Sequence, residues 1–103
     1  MDFKEYQKKA VEFAIYPEAY KVIYPTLGLC GEAGEVAEKV KKQVRDGNFN
    51  RHEVAKELGD VLWYLANLAN DIGYNLSEVA VISIDKLQSR KDRDVISGSG
   101  DNR

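Results

Sequence analysis

Apolar positions recur every three or four residues along most of the chain, which is the spacing of helices that bury one face. From Asp2 to about Tyr16, Phe3, Tyr6, Ala10 and Phe13 take one side while Lys4, Lys8, Lys9 and Glu12 take the other. Pro17 ends that helix or opens a connection. Tyr16, Tyr20 and Tyr24 surround the join; their half-polar rings suit helix packing, with stacking on a base as the alternative. A second helix is predicted from near Pro25 and Thr26 to about Arg45, stopped by Asp46-Gly47. Its apolar stripe is Leu29, Ala33, Val36, Val40 and Val44. Asn50 is the N-cap expected for a third helix, with Glu53 placed as the reciprocal partner of a capping box. That helix runs to Asp71 or Ile72 with Gly73 as its stop, and its core face is Leu58, Val61, Leu65, Leu68 and Ile72.

A fourth helix is expected from Ser77 or Glu78 to about Lys91. Its run Val79-Ala80-Val81-Ile82-Ser83-Ile84 is rich in β-branched residues and would also suit a strand, but no second strand candidate exists to pair with it. Apolar residues cover most of this helix's circumference, more than one neighbouring layer requires, which favours burial between subunits. The last residues, 97–103, are rich in Gly and Ser and are expected to be flexible alone, free to fold over a ligand. The prediction is therefore an all-α fold, one domain over residues 1–103, whose four-helix bundle is completed by oligomerisation.

Composition narrows the class without naming it. At 103 residues, 44% hydrophobic and 31% charged, this is an ordinary globular mixture. The net charge of −2 argues against nucleic-acid binding through a broad basic surface. A bound cation would still let such a protein take an anionic ligand. Cys30 is the sole cysteine, so no intramolecular disulfide forms; a small buried residue in a reducing compartment is the expectation. No segment approaches the length of a membrane span, and the N-terminus lacks a signal-peptide core. A cytoplasmic location follows as the expectation.

Chemistry concentrates between Gly31 and Asp60. Glu32 and Glu35 are three apart on the second helix, and Glu57 and Asp60 are three apart on the third. Residues at this spacing share a helix face, where like charges repel and weaken the helix unless something compensates them. Two such pairs on adjacent helices would put four carboxylates around one small volume, the kind of ligand set that Mg²⁺ accepts. A solvated acidic surface is the plain alternative. Beside the core face of the third helix runs a stripe of Glu53, Glu57, Asp60, Tyr64, Asn67 and Asp71 with no Lys or Arg, which suits a cation site better than a solvated face. Gly31 and Gly34 bracket Glu32 at a cost of about 1 kcal/mol each relative to Ala, leaving room for a ligand or another backbone. Lys39 and Lys42 suit intrahelical ion pairs better than phosphate contacts. Lys86 and Arg90, four apart near the end of the fourth helix, fit either phosphate binding or a solvated helix C-terminus. His52 is the only histidine and has no nucleophile near it in sequence, so no triad is indicated.

Assembled, Gly31-Glu32-Ala33-Gly34-Glu35 followed by Glu57-Leu58-Gly59-Asp60 resembles the EExxE and ExxD metal motifs of MazG-type nucleoside triphosphate pyrophosphohydrolases in the all-α NTP-pyrophosphatase superfamily. Lys86 to Arg90 and the terminal GSGDNR are similar to further features of that family. Gly31 stands where many members carry the first Glu of the motif. The resemblance implies hydrolysis of (deoxy)nucleoside triphosphates to the monophosphate and pyrophosphate, in nucleotide-pool housekeeping. It implies Mg²⁺, with Mn²⁺ as a substitute, held by Glu32, Glu35, Glu57 and Asp60 as the catalytic carboxylates. It implies substrate contacts from Tyr64, Lys86 and Arg90, and a homodimer or homotetramer with no nucleic-acid or membrane partner. The competing reading is a non-enzymatic helical interaction module.

Overall fold

A computed structural model describes residues 1–103 as α1 Phe3–Glu12, a 3-10 turn at Glu18–Tyr20, α2 Ile23–Asp46, α3 Arg51–Asp71 and α4 Leu76–Asp92, with no strand. The β-branched run of α4 is helical, as its lack of a pairing partner predicts.

Short polar side chains set the boundaries. Asp2 accepts the Glu5 N–H at 2.8 Å, Asn50 accepts from His52 and Glu53 at 3.1 and 3.2 Å, and Gly47 closes α2 with φ 73°. The reciprocal capping box expected at Asn50 and Glu53 forms only in half. The Asn50 N–H donates instead to Gln43 Oε1 at 3.0 Å, and Gln43 Nε2 returns a bond to the Asn50 carbonyl at 3.3 Å. This clasp sets the α2–α3 turn and leaves the Glu53 carboxylate to face α2. A complete box sits on α4, where Asn75 accepts from Glu78 N at 2.8 Å and Asn75 N donates to Glu78 Oε1 at 3.1 Å. Helix α1 ends at Glu12, short of the predicted Tyr16, and the chain then turns back through the 3-10 segment. Val22 enters α2 at φ 68°, a costly conformation for a β-branched residue. Asp71 Oδ2 holds this connection by accepting from Val22 N at 3.0 Å and from the Tyr16 hydroxyl at 2.8 Å.

Helix α3 is the hub. Ala10, Ala66, Ala69 and Leu76 form the buried core, with Tyr6, Leu62, Trp63, Leu65 and Val79 packed against it. Small residues on α3 let α1 approach closely, and the buried Gln7 secures the join. Its amide donates to the Ala66 and Tyr74 carbonyls, both at 3.1 Å, and its Oε1 accepts Leu76 N–H at 3.0 Å. Every polar atom of that side chain therefore has a partner, as a buried amide requires.

Several residues expected inside lie at the surface. Leu58, Ile72 and Val44 are exposed, as is Cys30. The ten-residue α1 meets α3 at Ala66 and Ala69, so it leaves Leu58 uncovered. Helix α4 joins the core through Leu76 and Val79, while Val81, Ile82, Ile84 and Leu87 face outward. The radius of gyration is 16.3 Å, against about 13 Å for a compact chain of this length. The bundle within one chain is open. The last residues fold back on the segment that follows α4: Arg103 donates to the Val95, Ile96 and Gly100 carbonyls at 3.2, 2.8 and 2.6 Å. No helix is long and apolar enough to cross a membrane.

Candidate metal centre

Helices α2 and α3 run antiparallel along one seam. Lys39 faces Glu53 and Glu57 at 3.8 Å each, and the earlier residue Glu32 faces Glu57 and the later Asp60. Carboxylate oxygens of Glu32, Glu57 and Asp60 lie within 4.8 Å of one another. Glu32 and Glu57 are half-buried and Asp60 is exposed, so the cluster sits in a seam open on one side.

Crowding has an electrostatic consequence. The Glu32 carboxyl is pushed above its ordinary range by desolvation, then by the negative charges of Asp60, Glu57 and Glu35 in that order. Like charges this close disfavour the ionised form, and a cation among them reverses that penalty. The ligand set is all oxygen, without thiol or imidazole, which suits a hard cation such as Mg²⁺ or Mn²⁺ rather than a softer metal.

Glu35 stands outside the cluster, contrary to the expectation of four carboxylates around one volume. Three residues advance a helix by about 300°, so Glu35 is turned about 60° from Glu32, and it lies exposed. It still acts on Glu32 through its charge. Lys39 also departs from expectation, since it bridges the two helices rather than pairing within α2. The intrahelical pair on α2 is Glu38 with Lys41, at 2.9 Å.

Tyr64 borders the acidic cluster. Its hydroxyl is held protonated above the usual tyrosine range, by burial first, then Tyr24, with Glu32 and Asp60 adding to the shift. The ring lies against Gly28, where an added Cβ would stand 2.1 Å from Tyr64 Cε1. Glycine is therefore required there by close approach, and the seam keeps its register partly through this contact. Gly31 and Gly34, by contrast, would meet nothing within 4 Å and face open space. Gly28 carried a sequence signal, being a third costly glycine in a helix, but its partner ring belongs to a different helix. Tyr64 is one of four linked rings: Trp63 meets it edge-on at 4.9 Å, Tyr24 is tilted to it at 6.3 Å, and Tyr16 stacks on Tyr24 at 5.0 Å. Of the tyrosines around the α1–α2 join, Tyr16 and Tyr24 thus pack on one another, while Tyr20 is exposed.

Lys86 and Arg90 lie on α4, away from the carboxylates. Both hold Asp101: Lys86 Nζ at 2.8 Å from Oδ1, and the Arg90 guanidinium at 3.2 Å from Oδ1 and 2.6 Å from the Asp101 carbonyl. Arg90 is 7% exposed and is the one buried charged residue. The paired cations, Lys86 first, hold the Asp101 carboxyl below the usual range.

Fold and cluster together define an all-α protein with an oxygen-lined seam suited to a hard divalent cation. Residues 25–94, from the first turn of α2 to just past α4, match the MazG nucleotide pyrophosphohydrolase domain, and the chain belongs to that family. It is similar to the Gene 37 protein of Mycobacterium phage L5, with 51% identity over 95% of this chain and 96% of that protein. No solved structure matches the chain. Membership places it among nucleotide pyrophosphohydrolase-type hydrolases.

Proposed function

We propose that the protein hydrolyses (deoxy)nucleoside triphosphates to the monophosphate and pyrophosphate, and that Glu32, Glu35, Glu57 and Asp60 are its catalytic carboxylates. The observation that carries this reading is the convergence of Glu32, Glu57 and Asp60 within 4.8 Å in a chain of the family. Glu32, Glu57 and Asp60 hold Mg²⁺, or Mn²⁺ in its place, with Glu35 at the rim. The cation supplies the positive charge that lets a triphosphate approach an acidic seam.

The chain's own groups position and accept. One of the four carboxylates takes the proton of the attacking water. Lys39 holds Glu57 against α2, which keeps the two acidic pairs in register. Tyr64 shapes the nucleoside side of the seam. Lys86 and Arg90 contact phosphate once Asp101 has moved, since its carboxylate and carbonyl now occupy both side chains. The outward apolar residues of α4 support a homodimer or homotetramer, and the role is housekeeping of cytoplasmic nucleotide pools. Those same exposed residues are what a non-enzymatic interaction module would use, and turnover separates the two.

The test is release of pyrophosphate from a panel of ribo- and deoxyribonucleoside triphosphates, with Mg²⁺ and with EDTA. Metal-dependent pyrophosphate and monophosphate are expected. Orthophosphate would show that a different bond is cut, and no turnover by a folded oligomer would favour the interaction module.

A further inference from the structure

The turn that follows α4 holds its own shape. Gly98 and Gly100 take φ values of 113° and 88°, which a residue with a side chain adopts only under strain. Arg103 staples the turn through its bonds to the Val95, Ile96 and Gly100 carbonyls. The turn so built presents a single acidic side chain, Asp101, to α4.

There Asp101 meets the chain's one buried cation, Arg90, together with Lys86, and both converge on the same carboxylate oxygen. The cations outnumber the carboxylate, so a positive charge is left over. Arg90 is not used up either: its bonds to Asp101 engage Nη2 alone, and a guanidinium has two further nitrogens that donate. Lys86 and Arg90 also line, with Ser83, a cavity of about 330 Å³, which gives room for a phosphate group beside them. Asp101 is held lightly by comparison. Its side chain is 77% exposed and that of Lys86 41%, and exposed ion pairs contribute little. A phosphate group brings three acceptor oxygens and a larger charge than a carboxylate.

We infer that the C-terminal turn is an autoinhibitory strap, in which Asp101 stands in for a phosphate group and competes with it for Lys86 and Arg90. The inference rests on the proposed use of these two residues for phosphate and adds the group that regulates access to them. With the strap closed, an incoming phosphate must break the Asp101 bonds or lie beside a carboxylate that repels it. Either course weakens binding. The same chemistry serves the phosphate chain of a nucleotide and free inorganic polyphosphate, and the test separates the two.

The experiment is calorimetric titration of inorganic triphosphate into the full-length wild type and into Asp101→Asn. EDTA is present throughout, so that the acidic seam holds no cation and repels anions. The variant is expected to bind about fivefold more tightly, the upper end of what an exposed ion pair withholds. Arg103→Ala frees the turn but keeps Asp101 and both cations, and should shift affinity the same way by less. Adding Lys86→Ala to Asp101→Asn should remove the gain, which assigns the anion to α4. A nucleoside triphosphate is titrated alongside: if it binds the variant more tightly than inorganic triphosphate does, the strap guards a nucleotide's phosphates, and equal affinity means that it guards polyphosphate alone. Equal affinity of inorganic triphosphate for wild type and Asp101→Asn, or binding to neither, overturns the strap and leaves Asp101 as a structural brace. These readings are independent of turnover. A gain at α4 without pyrophosphate release would sink the hydrolase reading and leave the strap standing, and pyrophosphate release with unchanged affinity would do the reverse.

Discussion

Two carboxylate sites in this chain have opposite electrostatic surroundings. Asp101 is met by Lys86 at 2.8 Å and Arg90 at 3.2 Å, and its carboxyl is held low. Glu32 is met by Glu57 and Asp60, and its carboxyl is held high. The chain supplies its own cations at one site. At the other, one lysine stands to the side, 3.8 Å from Glu57 and Glu53. A carboxylate matched by its own chain is complete as it stands, whereas Glu32, crowded by two others and without a cation of its own, carries a penalty that an external cation removes. The difference sets the α2–α3 seam, the proposed ligand site, apart from the C-terminal turn, which is a clip.

The strongest way to break this contrast is to remove charge from the seam. Glu57→Gln or Asp60→Asn is expected to lower turnover by at least about a hundredfold, an effect of the size seen when transition-state electrostatics are lost. Either change should also abolish the rise in melting temperature that Mg²⁺ gives with a non-hydrolysable triphosphate. An unchanged thermal shift in both variants would take these residues out of the site.

The next test leaves every carboxylate in place. Gly28→Ala drives a methyl into the Tyr64 ring, which must move with α2 or α3. Overpacking of this kind costs about 1–3 kcal/mol, read as a lower denaturation midpoint, and should weaken the metal response by disturbing the register that brings Glu32 to Glu57. Full stability and an unaltered metal response would show that the seam does not depend on that contact.

How much of this was legible in the sequence depends on how far apart the partners are. Asn50, Gly47 and the three-residue spacing of the acids are local, and they gave four helices and the residues of the cluster. What failed needed a second helix. A helical wheel places Lys39 beside Glu32 and Glu35, yet its partners Glu53 and Glu57 arrive from α3. Asn50 and Glu53 read as a capping box, but Gln43 takes the Asn50 N–H from seven residues away. Leu58 looks like core until the shortness of α1 leaves it bare. Gly28 was overlooked because nothing near it in sequence reveals that Tyr64 lies against it. The clip was hidden for the same reason: Lys86 and Arg90 looked free while their partner lay in a tail that composition marks as flexible.

Single neutralisations at the two sites should have opposite signs. In EDTA, Glu32→Gln removes a repelled charge and is expected to raise the melting temperature by up to about 4 °C. Asp101→Asn removes an attracted one and should lower the melting temperature slightly, since the Asp101 carboxylate is exposed although Arg90 is buried. It should, however, speed amide exchange of residues 95–103 several-fold. A fall in melting temperature for Glu32→Gln would mean that the seam is already compensated, and the contrast would fail.

The smallest effect is the pH dependence, and its sign is opposite at the two sites. Asp101 has a lowered folded value, so its contribution is fully present above the ordinary carboxylate range and is lost as pH falls through that lowered value. Glu32 has a raised folded value, so its contribution is fully present below the ordinary range and is lost as pH rises through the raised value. Acidification from neutrality should therefore first relieve the seam and only later open the clip. Carboxyl-carbon NMR titration in EDTA reads both groups at once. The Glu32 midpoint is expected above that of a glutamate in a short peptide, and the Asp101 midpoint below that of an aspartate. A Glu32 midpoint at the peptide value would mean that solvent already screens the three carboxylates from one another. The seam would then hold no electrostatic penalty for a cation to remove.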